Sequence, residues 1–239
     1  MNLDIETIGN CNRRCPTCIR NSHPDREKLE SWFENNLLPE TVIYSAVDDV
    51  MKMGFDGHIC LSHYNEPLMD DRLSVIVQNI KEKYPSSFIY FHTNGDFLTE
   101  ELAKKFDGIL DRIVVTLYMN EPKKSERAEW VHTLFDKTIC DVITQSAHIP
   151  THFSPAFDVE GLAEKYKTHP CSEPSMRIII NHRGQYLLCC DDVIGNFGLG
   201  TYPEKSLEQH WKEKMEIQSK LHVKGGRKWH SYCESCPRP

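Results

Sequence analysis

Cys11-Asn12-Arg13-Arg14-Cys15-Pro16-Thr17-Cys18 sets three cysteines at C-x3-C-x2-C near the start of a chain of 239 residues. Spacing that short brings three thiols onto one compact loop. Thiolates hold iron–sulfur clusters, normally four to a 4Fe–4S cube. Three from a single loop therefore leave one iron open to an exogenous ligand. The competing readings are a fragment of a zinc site, or thiols that bind nothing. Zinc ligands usually come as paired C-x2-C or C-x4-C knuckles, and this spacing fits them less well.

The flanks of that loop carry a strand–helix rhythm. Leu3 and Ile5 alternate with Asp4 and Glu6, so residues 3–8 read as a first strand running straight into the cysteines. After a polar stretch, Pro39-Glu40-Thr41 opens a helix that carries Val42, Ile43, Ala46, Val47, Val50 and Met51 at helical spacing and closes at Gly54. Residues 58–62 form a second strand, and 70–84 a helix stopped by Pro85. Residues 88–92 give a third strand broken by Thr93-Asn94-Gly95, and Thr99 starts another helix. A fourth strand is expected over 112–117, a helix over 125–137 and a short fifth strand over 141–144. Residues 151–157 are the candidate for a sixth. Strand–helix units of this length pair in parallel through right-handed crossovers. They are too few to close an eight-stranded barrel, so the fold class is α/β with a partial (β/α)6-type barrel over 1–165. Pockets in such folds sit at the C-terminal ends of the strands, where the cysteine loop, Glu66, Asn94 and Thr116 all fall.

From 166 to 239 the pattern changes to a small extension. Residues 176–180 and 185–189 flank the turn Asn181-His182-Arg183-Gly184 as a β-hairpin, and 206–221 read as an amphipathic helix with Leu207, Trp211, Met215 and Ile217. The ten cysteines are bipolar in distribution: 11, 15 and 18 at one end, 171, 189, 190, 233 and 236 at the other, with only Cys60 and Cys140 between. That suggests two metal centres. Cys171, Cys189 and the Cys233-x2-Cys236 pair offer four ligands brought together by a hairpin and a helix, a set that would serve structural zinc as well as iron. Cys189 and Cys190 are neighbours, so on a strand they face opposite sides and one of them ligates; the spacing favours Cys189.

Composition narrows the partners. The chain is 39% apolar and 26% charged with mean hydropathy −0.51, and no apolar run approaches the roughly 20 residues of a membrane span. The N-terminus is acidic and short of apolar residues, unlike a secretory signal. Ten cysteines without such a signal point to a reducing cytoplasm, where thiols bind metal more often than they pair. A net charge of −7 and a pI near 5.9 speak against a nucleic-acid binder. The basic run at 224–228 reads as solvated surface.

The N-terminal spacing resembles the signature of the radical S-adenosylmethionine (radical SAM) superfamily, whose open iron chelates the methionine end of SAM. In that family a Gly-Gly-Glu-Pro segment after the second strand binds the SAM amino group. Tyr64-Asn65-Glu66-Pro67 corresponds to it, keeping Glu-Pro without the glycines. The resemblance implies that Asn94 and Thr116, at the next two strand ends, reach the ribose and carboxylate of SAM. It also puts Thr17 at the adenine, a position where the family usually has an aromatic residue. The C-terminal cysteines resemble the shortened SPASM, or twitch, extension, which implies an auxiliary 4Fe–4S cluster fully ligated by Cys171, Cys189, Cys233 and Cys236. Residues 91–100, Phe-His-Thr-Asn-Gly-Asp-Phe-Leu-Thr-Glu, further resemble the third-strand segment of dehydrogenases within that group.

These resemblances imply two 4Fe–4S clusters, SAM as co-substrate and a flavodoxin- or ferredoxin-type electron donor. The first cluster would cleave SAM to a 5′-deoxyadenosyl radical that removes hydrogen from the substrate, and the auxiliary cluster would accept the second electron. The implied reaction is dehydrogenation of a small alcohol such as an amino-cyclitol or sugar. The alternatives are crosslinking of a ribosomally made precursor peptide, or a non-enzymatic, metal-stabilised binding protein.

Overall fold

A computed structural model describes residues 1–16, 18–22, 35–118, 123–144 and 161–238. Its centre is a sheet of strands that alternate strictly. Leu3, Ile5, Ile59, Leu61, Ile89, Phe91, Ile113, Val115, Ile178 and Ile180 are all fully buried on one face. Helices cover that face with Ile43, Val47 and Val50, then Ile76, Val77 and Ile80, and then Ala103 and Phe106. The opposite face is polar: Asp4, Cys60 and Tyr90 lie side by side across neighbouring strands in parallel register. The period of two therefore separates a dry core from a chemically equipped wall.

In chain order the elements are β1 (Asn2–Ile5), α1 (Ile19–Ser22), α2 (Glu40–Lys52), β2 (His58–Cys60), a 3-10 turn (Pro67–Met69), α3 (Leu73–Lys83), β3 (Phe88–Thr93), α4 (Glu100–Phe106), β4 (Arg112–Leu117), α5 (Lys123–His132) and β5 (Ile139–Thr144). Then come α6 (Leu162–Tyr166), α7 (Glu173–Met176), β6 (Arg177–Ile180), β7 (Tyr186–Leu187), α8 (Leu207–Leu221), a second 3-10 turn (Gly226–Trp229) and α9 (Ser231–Glu234). The strand order is β5-β4-β3-β2-β1-β6-β7, parallel from β5 through β6, with only β7 antiparallel. The sheet is not closed among the described residues, so the architecture is an open, mostly parallel α/β sheet.

Several boundaries differ from the sequence expectation for local reasons. The first strand stops at Ile5: the bond from Glu6 N–H to Ile180 O is the last rung beside β6, and beyond it the chain leaves the sheet, Ile8 bridging Leu37 instead. The helix expected from 70 begins at Leu73. Before it, Asp70 accepts from the backbone and side chain of Arg72, a turn rather than a helical start. The helix expected to reach 137 ends at His132, and Asp107 Oδ1 accepts from the amides of Asp136, Lys137 and Thr138 to fix the turn into β5. β5 starts earlier than 141 and pairs with β4 over its whole length. The strand expected over 151–157 lies outside the described residues.

The hairpin of β6 and β7 is shorter than expected, ending at Leu187, and β6 lies alongside β1 in parallel register from Asn2↔Arg177 to Ile5↔Ile180. Asn181 Oδ1 accepts from Arg183 N and Gln185 N to make its turn, and Gly184 supplies a φ of +76°. α8 starts on a capping box in which Ser206 and Gln209 satisfy each other's backbone amides.

Candidate active site

β1 delivers the chain to the cysteine loop at the C-terminal edge of the sheet. The loop is built by its own hydrogen bonds: Cys11 N donates to Asn10 Oδ1, Cys18 N to Cys15 O and Asn21 N to Cys18 O. Arg20, almost fully buried, donates to Tyr64 O and Gly9 O and so ties this loop to the one after β2. Glu66 N–H donates to Asn10 O across the same seam.

A second clamp comes from the loop after β3. Asp96 receives Arg13 in a bidentate pair, Nε at 2.7 Å and Nη2 at 2.5 Å, and also accepts from Asn12 Nδ2 at 2.7 Å. Arg13 Nη1 reaches Tyr118 O beyond β4. Two residues inside the C-x3-C segment are thus held by one carboxylate.

The three thiols face a cavity of about 320 Å³. Burial pushes all three above their ordinary value, Cys18 to about 11, and Cys11 and Cys15 each raise it further. Ionising them together requires a cationic centre between them. Three soft thiolates on one loop are the donor set that iron–sulfur chemistry uses, so the residues fit a cluster bound there.

Glu66, Asn94 and Thr116 line the same cavity, as the sequence predicts. Glu66 is 2% exposed, and burial raises its carboxyl to about 7. Its Oε1 accepts from Leu68 N at 3.1 Å and Thr93 Oγ1 at 2.6 Å, and its Oε2 from Asn94 N at 2.8 Å. Gly95 makes this turn possible, with φ +73° and a position where a Cβ would stand 2.8 Å from Val115. Asn94 Nδ2 donates to Asn12 Oδ1 and approaches Cys11 Sγ at 3.8 Å. Thr17 lies outside the described residues.

The far wall was not foreseen from sequence. Asp4, Arg177, Cys60, Ser62, Tyr90, His92 and Cys190 line it. Arg177 Nη1 donates to Asp4 Oδ2 at 2.8 Å, while Asp4 Oδ1 and Arg177 Nε are buried with no partner among the described residues. Burial raises the Asp4 carboxyl, opposed by the Arg177 charge. The available signal was an acidic residue on the second face of β1 and an arginine opening the apolar run of β6.

In the extension, Cys171, Cys233 and Cys236 lie near enough to act on one another. Cys171 N donates to Leu221 O, Gln218 Nε2 donates to Cys171 O, and α9 carries Cys233 toward Cys236. Burial raises Cys233 to about 12 and Cys236 to about 11, and Cys171 adds to both. Cys189 and Cys190 follow the end of β7 rather than lying on a strand, so strand alternation does not separate them. Cys190 lines the cavity, and its Sγ accepts from Arg238 Nη2 at 2.9 Å and donates to Glu173 Oε2 at 3.3 Å. Arg238 also pairs with Asp191 and Glu173, fastening the chain end to the hairpin.

The radical SAM superfamily model matches residues 5–140, more than half of the chain, including the cysteine loop and strands β2 to β4. The chain belongs to the radical SAM superfamily. Residues 171–237 match SPASM, an iron–sulfur cluster-binding domain. Together the two domains indicate iron–sulfur clusters and SAM for this radical SAM enzyme. It is 23% identical over 236 residues to the S-adenosyl-L-methionine-dependent 2-deoxy-scyllo-inosamine dehydrogenase of Niallia circulans, covering 98% of this chain and 91% of that one. It is 29% identical over 125 residues to the GTP 3′,8-cyclase of Aquifex aeolicus (strain VF5), covering 52% and 37%. Among solved structures it resembles BtrN in complex with AdoMet and 2-DOIA, with a TM-score of 0.76, 19% identity and coverage of 99% and 92%. It also resembles anSMEcpe with bound AdoMet and Cp18Cys peptide, with a TM-score of 0.55, 14% identity and coverage of 99% and 87%. No described helix of this radical SAM chain is long and apolar enough to cross a membrane.

Proposed function

We propose that this radical SAM enzyme dehydrogenates a small alcohol of the amino-cyclitol or sugar class. The observation that carries the reading is the polar far wall. Arg177 lines the same cavity as the cysteine loop, with hydrogen-bonding capacity beyond the N–H given to Asp4, and Tyr90 and His92 line it too. A guanidinium half-neutralised by Asp4 suits an uncharged substrate oxygen better than a full anion. The near full-length relationship to a dehydrogenase acting on a small cyclitol supports the same class.

In this reading residues 1–165 form the partial barrel and 166–239 the auxiliary-cluster extension. Cys11, Cys15 and Cys18 hold one 4Fe–4S cluster, and Cys171, Cys189, Cys233 and Cys236 hold a second. When bound, these groups supply reductive cleavage of SAM, removal of a hydrogen atom from the alcohol carbon and an acceptor for the second electron as the hydroxyl loses its proton. Glu66 binds the SAM ammonium: three of its lone-pair positions are filled by protein donors and one remains toward the cavity. Asn94 and Thr116 orient the rest of SAM, with Thr17 at the adenine. Arg177 and Asp4 hold the substrate oxygen and keep water from replacing it. The electron donor is a flavodoxin- or ferredoxin-type protein, and the setting a reducing cytoplasm.

A peptide substrate is the second reading, favoured by the likeness to anSMEcpe with its peptide. The two separate in one assay. Protein purified without oxygen is reduced with dithionite and given SAM with amino-cyclitols and sugar alcohols deuterated at the carbinol carbon, or with peptides. We expect deuterium in 5′-deoxyadenosine and a ketone in equal amount with one of the alcohols. Turnover with peptides alone would transfer the enzyme to the second reading. Failure to cleave SAM at all would refute the enzymatic one.

A further inference from the structure

Arg227 is the largest fully buried side chain among the described residues, at 1% exposure. It sits in the 3-10 turn after α8, and the turn packs so closely on the helix end that a Cβ at Gly226 would stand 2.1 Å from Lys220 O. The guanidinium is fixed by carbonyls alone. Nε donates to His169 O at 2.9 Å, and Nη1 to Cys236 O at 3.1 Å and Arg238 O at 2.6 Å. No carboxylate among the described residues pairs with it, and Nη2 is buried with no acceptor. A buried cation without a counter-charge is strongly destabilising, and a buried donor without an acceptor adds to the cost.

The surroundings supply what is missing. His169 lies two residues before Cys171, Arg238 two after Cys236, and Cys236 is itself a partner, so the guanidinium is enclosed by the chain segments that carry those cysteines. Its charge acts on the sulfurs of Cys171, Cys233 and Cys236 alike. A cubane ligated entirely by thiolates is anionic, and more so once reduced, and its potential depends on net charge and on hydrogen bonds to sulfur.

We propose that Arg227 is the counter-charge of the auxiliary cluster, its unspent Nη2–H directed to the cluster's sulfur and its charge raising the cluster's reduction potential. This rests on the cluster reading of the C-terminal cysteines given above. It adds a named residue that makes the cluster a better electron acceptor.

The test uses the full chain with Cys11, Cys15 and Cys18 changed to alanine, reconstituted with iron and sulfide without oxygen, so that only the auxiliary cluster contributes. Iron and sulfide are counted first; absence of a cluster there would refute the cluster reading itself, separately from the role of Arg227. Midpoint potentials are then read by EPR-monitored titration for that protein and for its Arg227→Met and Arg227→Lys forms. Arg227→Met should shift the one-electron equilibrium at least tenfold toward the oxidised form, 59 mV more negative, and Arg227→Lys should recover most of the shift. If Arg227→Met loses its iron while Arg227→Lys keeps it, the charge is required for assembly and the proposal also stands. An unchanged midpoint in an iron-replete Arg227→Met protein overturns it. So does loss of iron from both variants in protein whose circular dichroism is native, because the charge would then not be what matters.

Discussion

Glu66 is a carboxylate placed where ionisation is expensive, yet given three donors that favour the ionised form. Burial wins and raises it to about 7. Below that pH the side chain is mostly neutral, so binding an ammonium must first drive off its proton. SAM affinity should therefore rise about tenfold per pH unit up to about 7. It should fall again above about 8, where an α-amino group loses its own proton. Glu66→Gln keeps the shape and removes the charge. Breaking a buried charge pair costs about 3–5 kcal/mol, roughly a hundredfold or more in affinity, and the acid limb should vanish with it. Calorimetric titration of the anaerobic protein across pH 5.5–8.5 would check both; an acid limb that survives in Glu66→Gln would remove Glu66 from the ammonium site.

Elements were legible where their information is local. The alternation of Leu3, Asp4, Ile5 and Glu6 announces both a strand and its two faces, and the apolar spacing of α2 and α8 announces helices. Ends were less legible, because turn contacts set them from far along the chain: Asp107 fixes the turn between α5 and β5 from some thirty residues away. The clamp on the cysteine loop is of the same kind. Arg13 and Asp96 are 83 positions apart, and neither announces the other. Each side chain keeps about a third or less of its surface open, and the pair contributes on the order of 1 kcal/mol. What it secures is the geometry of the loop that carries the three cysteines. The Asp96 carboxyl is held below the usual range by Arg13 and Asn12, against the opposing effect of burial. The clamp is accordingly intact at neutral pH and is lost only as pH falls through that lowered value. Asp96→Ala should leave the fold intact and speed release of the N-terminal iron to a chelator severalfold at pH 7.5, with Asp96→Asn between the two. Equal release rates would show that the loop's own turns suffice to hold it.

Across the whole molecule, the N-terminal cysteine motif could be read directly, since it is written in a few adjacent residues, and the C-terminal cysteines showed as a group although they spread over 171–236. The wall between them could not, since Asp4 and Arg177 meet only because β6 joins β1, 173 positions away in sequence. That junction also brings the tail to the cavity. Arg177 lines it at the start of β6, and Cys190 lines it beside Cys189. Tyr64 Oη donates to Cys190 O at 2.7 Å, joining the β2 loop to the hairpin end. In the proposed reading, an alcohol held on Arg177 sits in a cavity that both the cysteine loop and Cys190 of the extension line, an arrangement suited to losing a hydrogen atom to one and an electron toward the other. The two events should come apart when the tail loses its cluster. In the Cys233→Ala, Cys236→Ala protein the cavity residues are untouched, so SAM cleavage and deuterium transfer to 5′-deoxyadenosine should continue, while ketone falls at least tenfold. Because cluster ligation also supports the extension, circular dichroism and SAM affinity matching the parent come first. Full ketone yield from a folded, tail-depleted protein would make the extension structural and require another acceptor for the second electron.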